Sequence, residues 1–182
     1  MQGGSSTILK SVIIMAGGKG TRFGRPDKTL VEVGGKTLLE RLMSQVSEFS
    51  ANIFVCSSNN SPTVVEVSKE KEYKLLMEPG NNFVEAVRTC LASINKFPCL
   101  VLPGDVFLGD ARVLGEFIDF YTTSSAELVT MIHNSLLIGI SIYRKLPVAG
   151  EVLSHENYDC QENMIFNVNT EEDYKTLLCQ LG

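Results

Sequence analysis

Glycines and cations are concentrated in one short segment near the start of the sequence. From Ala16 to Gly24 the chain reads AGGKGTRFG, with four glycines in the eight positions that begin at Gly17. Glycine adopts backbone angles that other residues avoid and carries no side chain, so such a loop can direct its N–H groups at a phosphate. Further positive charge comes from Lys19, Arg22, Arg25 and Lys28. The segment therefore predicts a binding site for the phosphates of a nucleotide.

Two common phosphate-binding motifs do not fit this segment. The dinucleotide pattern G-x-G-x-x-G matches Gly18 and Gly20 but then meets Phe23. The Walker A pattern would need a glycine five residues before Gly35, in the run Gly35-Lys36-Thr37, where the chain has Leu30. The sequence therefore excludes a plain dinucleotide fold and a P-loop NTPase.

An acidic residue after a later apolar run is the candidate metal ligand. Asp105 follows the run 99–102 and the dipeptide Pro103-Gly104. Mg²⁺ prefers oxygen ligands and commonly shares one or two carboxylates with substrate phosphates. The alternative role for Asp105 is an Asx-turn or a cap for the helix that follows. Asn169, at the end of the run 164–169, could add a neutral oxygen to the metal or to the phosphates.

A third candidate site follows the apolar run 73–77. There Glu78 and Gly80 precede an asparagine pair that can cap a helix. The Glu78 carboxylate could accept the N1 and N2 protons of guanine, and the alternative is a solvent-facing acid. The polar loop 57–60 could meet a base or sugar, although an ordinary turn is the favoured interpretation.

Alternating apolar runs position these residues. Strands are predicted at 12–15, 52–56, 73–77, 99–102, 126–132, 136–143 and 164–169, with amphipathic helices between most of them and irregular structure over 147–162. This alternation predicts an α/β fold with a mostly parallel central sheet and helices on both faces. Ligands bind such sheets at the carboxyl ends of the strands. The glycine loop, Gly80, Asp105 and Asn169 should meet there.

Composition limits the remaining possibilities. The chain has 182 residues, of which 44% are hydrophobic, and this size suits one domain. Its net charge of −5 argues against nucleic-acid binding. No apolar run is long enough for a membrane span. The five cysteines lack C-x-x-C spacing and are predicted to be reduced thiols in a cytoplasmic protein. We expect residues 1–10 to be a flexible tail and residues 11–182 to be a single domain.

The motif A-G-G-x-G-T-R-x-G, followed by Lys28, resembles the signature of nucleotidyltransferases. From Ser11 onward the chain resembles the small members of that group, and most closely the archaeal-type adenosylcobinamide-phosphate guanylyltransferases. The opening IIMAGGKGTR, the length and the closing IFNVNTEED carry this resemblance. The molybdenum cofactor guanylyltransferases are also similar, through the run 27–30 and the N-x-N-T ending. Such enzymes often carry a longer loop over the acceptor than the short turn near 133–135.

The resemblance implies a Rossmann-like fold of the nucleotide-diphospho-sugar transferase type and transfer of GMP from GTP to a phosphorylated acceptor, with release of pyrophosphate. The corrinoid is the expected acceptor, Mg²⁺ the expected cofactor, and a homodimer is compatible with the family. Catalysis is assigned to Lys28, Arg22 and Asp105, and the metal to Asp105 and Asn169. The residues implied for nucleotide binding are Ala16, Gly17, Gly18, Lys19, Gly20, Thr21, Glu78 and Gly80.

Other classes of protein remain as alternatives. A nucleotide-sensing domain would keep the glycine loop but lack the catalytic cations and the metal-binding acid, so Lys28 and Asp105 argue against it. A sugar-1-phosphate nucleotidyltransferase shares the motif, but such chains are usually longer. The acceptor could also be molybdopterin or another small phosphorylated molecule.

Overall fold

The structure is a computed structural model that describes residues 8–18, 23–24, 27–79, 82–148, 150–161 and 165–181. Within these ranges the strands are β1 (Ser11–Met15), β2 (Glu32–Val33), β3 (Lys36–Thr37), β4 (Ile53–Ser58), β5 (Lys74–Glu78), β6 (Cys99–Pro103), β7 (Val106–Leu108), β8 (Leu128–His133), β9 (Leu136–Tyr143), β10 (His155–Cys160) and β11 (Ile165–Asn167). The helices are α1 (Leu38–Val46), α2 (Pro62–Glu70), α3 (Phe83–Ile94), α4 (Arg112–Thr123) and α5 (Glu171–Leu181), and a 3₁₀ turn spans Lys28–Leu30.

Seven strands form the central sheet in the order β10-β8-β9-β6-β1-β4-β5. β1 pairs in parallel with both β4 and β6, and β9 runs antiparallel to its two neighbours, β6 and β8. The other six strands therefore end at the same edge of the sheet. The predicted α/β fold with a mostly parallel sheet is confirmed.

The buried central strand β1 explains why helices cover both faces. Its five residues are all buried, and successive side chains of a strand point to opposite faces. Val12 and Ile14 join a cluster with apolar residues of α1, α2 and α4, whereas Ile13 and Met15 join one with residues of α3. Each face of the sheet therefore has its own apolar layer.

The strand β10 lies in a region that the sequence predicts to be irregular, so that prediction is wrong for 155–160. Its sequence is HENYDC, with only Cys160 buried, and it pairs in parallel with β8 at the edge of the sheet. Because an edge strand with mostly exposed side chains needs no apolar alternation, the hydrophobic pattern gives no signal. Tyr158 attaches it to α4, with ring centroids 5.6 Å from Phe117 and 5.3 Å from Phe120.

Two further features differ from the expectations. Leu9 lies in the predicted tail, but it is 2% exposed and belongs to the core, and the Lys10 N–H donates to the Pro98 carbonyl at 2.9 Å.

A disulfide joins Cys56 on β4 to Cys90 on α3, so the prediction of reduced thiols is wrong for this pair. Both cysteines are buried in the layer under α3, where the strand and helix face each other. Among the described residues, every helix is too short or too polar to cross a membrane.

Candidate active site

Three predicted site residues from distant parts of the chain meet at the carboxyl edge of the sheet. The Lys28 ammonium forms an ion pair with Oδ2 of Asp105 and donates to Oδ1 of Asn169 at 3.2 Å. The side chains of Lys28 and Asp105 are 22% and 13% exposed. The strand-end argument predicted that Asp105 and Asn169 lie together, but it did not predict that Lys28 contacts both of them. The roles of the three side chains in catalysis and metal binding remain predictions.

Asp105 is positioned by a tight junction between the ends of β1 and β6. The Gly104 N–H donates to the Met15 carbonyl at 2.8 Å, and a Cβ at Gly104 would lie 2.9 Å from Cγ2 of Thr29 and 3.3 Å from Cα of Ala16. Any larger residue at position 104 would therefore separate these segments. The same packing fixes the turn that begins with Lys28, because Thr29 is its buried residue.

Asn169 reaches the site through a small second sheet. Strand β11 pairs antiparallel with β7, which follows Asp105 directly, and the Val168 N–H donates to the Asp105 carbonyl at 2.8 Å. The Asp173 carboxylate then accepts from the N–H groups of Asn169 and Thr170, at 2.9 and 2.8 Å. The Asp173 N–H in turn donates to Oγ1 of Thr170 at 3.1 Å. Thr170 and Asp173 thus form a reciprocal cap at the start of α5, which holds the Asn169 backbone in place.

The start of the glycine loop lies across the ends of β4 and β5. The N–H groups of Ala16 and Gly17 both donate to the Cys56 carbonyl, at 2.7 and 3.0 Å. A Cβ at Gly17 would lie 3.0 Å from Oε1 of Glu78 and 3.1 Å from the Ser58 nitrogen. Glu78 is only 9% exposed, so the interpretation of it as a solvent-facing acid is wrong.

One contact of this loop was not predicted from the sequence. The Ser61 hydroxyl donates to the Gly18 carbonyl at 3.0 Å, whereas a Ser-Pro dipeptide by itself indicates only the start of a helix. It precedes Pro62 at the first position of α2, and its side chain makes no capping bond there. The residues predicted for the rest of the loop and for the following turn, namely Lys19, Gly20, Thr21, Arg22, Arg25 and Gly80, lie outside the described residues.

The donor set at the edge of the sheet fits a magnesium ion. A carboxylate oxygen of Asp105 and an amide oxygen of Asn169 already converge on one cation, the Lys28 ammonium. Oxygen donors suit Mg²⁺, which usually keeps several waters and takes other ligands from substrate phosphates. In the part of the chain that the structure describes, no three His, Cys, Asp or Glu side chains form a group that could hold a metal ion. A metal held by Asp105 and Asn169 would therefore take its remaining ligands from water and substrate phosphates.

Comparison with known proteins assigns the chain to a family. The family model described as the MobA-like NTP transferase domain matches residues 12–156. This chain belongs to that family. The predicted resemblance to the small nucleotidyltransferases is confirmed, and so is the predicted class of enzyme. A curated relative, the adenosylcobinamide-phosphate guanylyltransferase of Methanocaldococcus jannaschii, is 30% identical over 183 residues, which cover 90% of this chain and 93% of the relative.

Solved structures support the same fold. A UDP-glucose pyrophosphorylase from Acinetobacter baumanii superposes with a TM-score of 0.75 at 13% identity, covering 96% of this chain and 93% of that one. The molybdopterin-guanine dinucleotide biosynthesis protein A of Archaeoglobus fulgidus superposes with a TM-score of 0.71 at 19% identity, covering 94% and 100%. At these identities the likeness concerns the fold, and the nucleotide-diphospho-sugar transferase type of fold is confirmed.

Proposed function

We propose that this MobA-like NTP transferase moves GMP from GTP to adenosylcobinamide phosphate in the cytoplasm, releases pyrophosphate, and serves cobalamin biosynthesis. The observation that supports a transfer reaction is the convergence of Lys28, Asp105 and Asn169 beside the start of the glycine loop. The name of the curated relative, whose length this chain nearly spans, supports the choice of base and acceptor.

The reaction is an in-line displacement at phosphorus. An oxygen of the acceptor phosphate attacks the α-phosphorus of GTP, the bond to the β-phosphate oxygen breaks, and pyrophosphate carries away the electron pair. No protein nucleophile is required, so the enzyme contributes positioning and electrostatic stabilisation. Under this proposal Lys28 contacts the α-phosphate and neutralises the charge that builds up during the transfer.

The remaining residues bind and orient the substrates. The backbone amides from Gly18 to Thr21 would hold the β- and γ-phosphates, helped by Lys19 and Arg22. The motif also assigns the Gly17 amide to them, but the Gly17 N–H already donates to the Cys56 carbonyl at 3.0 Å. Asp105 and Asn169 would hold Mg²⁺, which would supply Lewis-acid neutralisation of phosphate charge. Each of these assignments is a proposal from the motif.

Glu78 is proposed to read the base. Its carboxylate lies beside Gly17 at the ends of β4 and β5, and it can accept the N1 and N2 protons of guanine. Hydrogen bonds to a charged group are worth about 1.5–3 kcal/mol. Replacement of Glu78 by Gln, which presents one acceptor and one donor, should therefore weaken GTP binding by about 10- to 100-fold and leave ATP binding unchanged.

The decisive experiment measures pyrophosphate release from Mg·GTP with adenosylcobinamide phosphate and, in parallel, with molybdopterin. Release with the corrinoid alone supports the proposal, whereas release with molybdopterin alone moves the acceptor to the alternative that the family description suggests. No release with either acceptor contradicts both proposals.

The variant Lys28→Ala should lose turnover by far more than it loses GTP affinity. The matched control is Lys36→Ala, because Lys36 is exposed. A Lys28→Ala enzyme with near-normal turnover would remove Lys28 from the mechanism.

A further inference from the structure

The last helix, α5, packs against an apolar cluster that lies outside the core of the central sheet. Of residues 171–181 only Leu177 is buried, and Tyr174 lies one turn earlier on the same face. Both join a cluster with Phe23 of the glycine loop and with Val31 and Val33, to which α1 and β7 also contribute. Among the described residues, the two clusters that cover the faces of the sheet include nothing from α5. The helix therefore packs on the segments that precede and follow Lys28.

Tyr174 contacts the chain on both sides of Lys28. Its ring meets the ring of Phe23 edge to face, with the centroids 6.3 Å apart and the planes at 61°. Its hydroxyl donates to the Glu32 carbonyl at 2.6 Å. Phe23 lies five residues before Lys28, and Glu32 lies four residues after it. One side chain of α5 therefore anchors the chain before and after the lysine to which we assign catalysis.

The neighbouring residue of α5 holds a hydrogen-bond partner of that lysine. The Asp173 carboxylate accepts from the Asn169 N–H at 2.9 Å, and Oδ1 of Asn169 accepts from the Lys28 ammonium at 3.2 Å. Lys28 itself begins a single 3₁₀ turn, in which the Leu30 N–H donates to the Asp27 carbonyl at 2.9 Å. A turn of this kind is short and has poorer hydrogen-bond geometry than an α-helix, so its position depends on what packs against it.

We propose that Tyr174 is a positioning residue for the transfer. Together with Asp173 it makes the start of α5 a brace that sets Lys28 against Asp105 and Asn169. This inference rests on the proposed function, in which Lys28 neutralises the charge that builds up during the transfer. Misplacement of such a group by about 1 Å can cost about 100-fold in rate.

Loss of the brace should affect turnover more than GTP affinity. The start of the glycine loop is held separately, because the Cys56 carbonyl accepts from the Gly17 N–H and the Ser61 hydroxyl donates to the Gly18 carbonyl. The brace acts on the chain around Lys28 instead. Its removal should therefore give a milder form of the result expected for Lys28→Ala.

The kinetic test compares Tyr174→Leu with Tyr158→Leu. Tyr158 is a matched control, because it is also half-buried, packs its ring against Phe117 and Phe120, and donates from its hydroxyl to Glu116 at 3.3 Å. It lies on β10, which two strands separate from β6. Both variants lose a ring contact and a hydrogen bond, so both should have a lower Tm. Only Tyr174→Leu should lose kcat, by about tenfold or more, with a far smaller change in the Kd of GTP.

The conservative variants keep the comparison available if the leucine variants fold poorly. Tyr174→Phe loses only the bond to the Glu32 carbonyl and should show the same separation of kcat from GTP affinity in milder form, whereas Tyr158→Phe should not. Unchanged kcat in both Tyr174 variants, an equal loss in the Tyr158 variants, or a GTP affinity that falls as much as kcat would overturn the brace.

Amide hydrogen exchange separates this inference from the proposed function, because it needs no acceptor. The reporter is the Leu30 amide, which closes the turn at Lys28, and its exchange rate reports local opening of that turn. We expect faster exchange than in the wild type for Tyr174→Leu and an unchanged rate for Tyr158→Leu. That result supports the brace even if the wild type releases no pyrophosphate with either acceptor. An unchanged Leu30 rate in Tyr174→Leu would overturn the brace even if the proposed transfer is observed.

Discussion

Replacement of Gly17 by alanine probes the packing that connects the glycine loop to the sheet. A new Cβ would lie 3.0 Å from Oε1 of Glu78, 3.1 Å from the Ser58 nitrogen and 3.2 Å from the Ser57 carbonyl carbon. The carboxylate can rotate away, but Ser57 and Ser58 are fully buried residues of β4, so their backbone has little room to move. The loop must therefore shift outward by a few tenths of an ångström.

The magnitude of this change follows from two opposing effects. Overpacking costs about 1–3 kcal/mol, while the reduced freedom of the unfolded chain recovers about 0.4–1 kcal/mol. We expect Gly17→Ala to lower the free energy of unfolding by about 1–2 kcal/mol, which for a chain of this size lowers Tm by about 2–8 °C. GTP affinity should fall more steeply, by about tenfold or more, because the displaced amides of the following residues would no longer point at the phosphates that we propose they hold.

The assay is urea unfolding combined with calorimetric titration of GTP. The matched control is Gly115→Ala, because Gly115 lies inside α4 and a Cβ there would meet nothing within 4 Å. That variant should gain about 0.5–1 kcal/mol from helix propensity and bind GTP normally. If Gly17→Ala is as stable as Gly115→Ala and binds GTP equally well, the loop does not depend on close packing against β4 and Glu78.

Two further predictions concern stability. Reduction of the Cys56–Cys90 disulfide, which bridges a sequence separation of 34 residues, should lower the free energy of unfolding by about 4 kcal/mol through loop-closure entropy; urea unfolding with and without reductant measures this, and a count of five free thiols in the unreduced, denatured protein would contradict it. The hydrogen bond from Lys71 lowers the pKa of Glu40 to about 2 from a reference of 4.5, so its stabilisation is complete above about pH 4.5 and is lost as the pH falls toward 2. The pair is partly exposed, so it contributes less than about 1 kcal/mol. The free energy of unfolding of Glu40→Gln should therefore fall less between pH 6 and pH 3 than that of the wild type, by up to that amount. An equal fall in the two proteins would show that the pair contributes nothing.

The sequence predicted the site best where chemistry and strand ends coincide. Asp105 directly follows a buried strand of the parallel sheet, so its place at the carboxyl edge was predictable. Asn169 was expected there as the end of a further strand of that sheet, but it reaches Asp105 through the separate pair β7–β11. The cap formed by Thr170 and Asp173 was predictable because its spacing is local. Such features depend on residue type and short spacing, which a single sequence displays.

The features that the sequence did not predict depend on pairing between distant segments. Strand β11 lies within the predicted strand 164–169, but its antiparallel pairing with the three-residue strand β7, outside the central sheet, was not predicted. The edge strand β10 is mostly exposed, so its ladder is not encoded in alternating hydrophobicity. The contact of Ser61 with Gly18 likewise follows from the packing of α2 beside the loop, since the Ser-Pro dipeptide alone indicates a helix start.

The position of Lys28 constrains how its proposed catalytic role is tested. Its ammonium contacts both side chains that are proposed to hold the metal, so it supplies the positive charge that Asp105 needs at 13% exposure. Removal of one partner of a poorly solvated ion pair leaves an uncompensated charge, and this destabilises the protein strongly. Loss of turnover in Lys28→Ala could therefore come from a displaced Asp105 as well as from a missing contact to the α-phosphate. Lys28→Arg separates these causes, because it keeps the positive charge beside Asp105 but replaces a compact ammonium with a planar fork of different reach. If the contact of Lys28 with the α-phosphate is what matters, this variant should bind GTP with the wild-type affinity and still lose turnover.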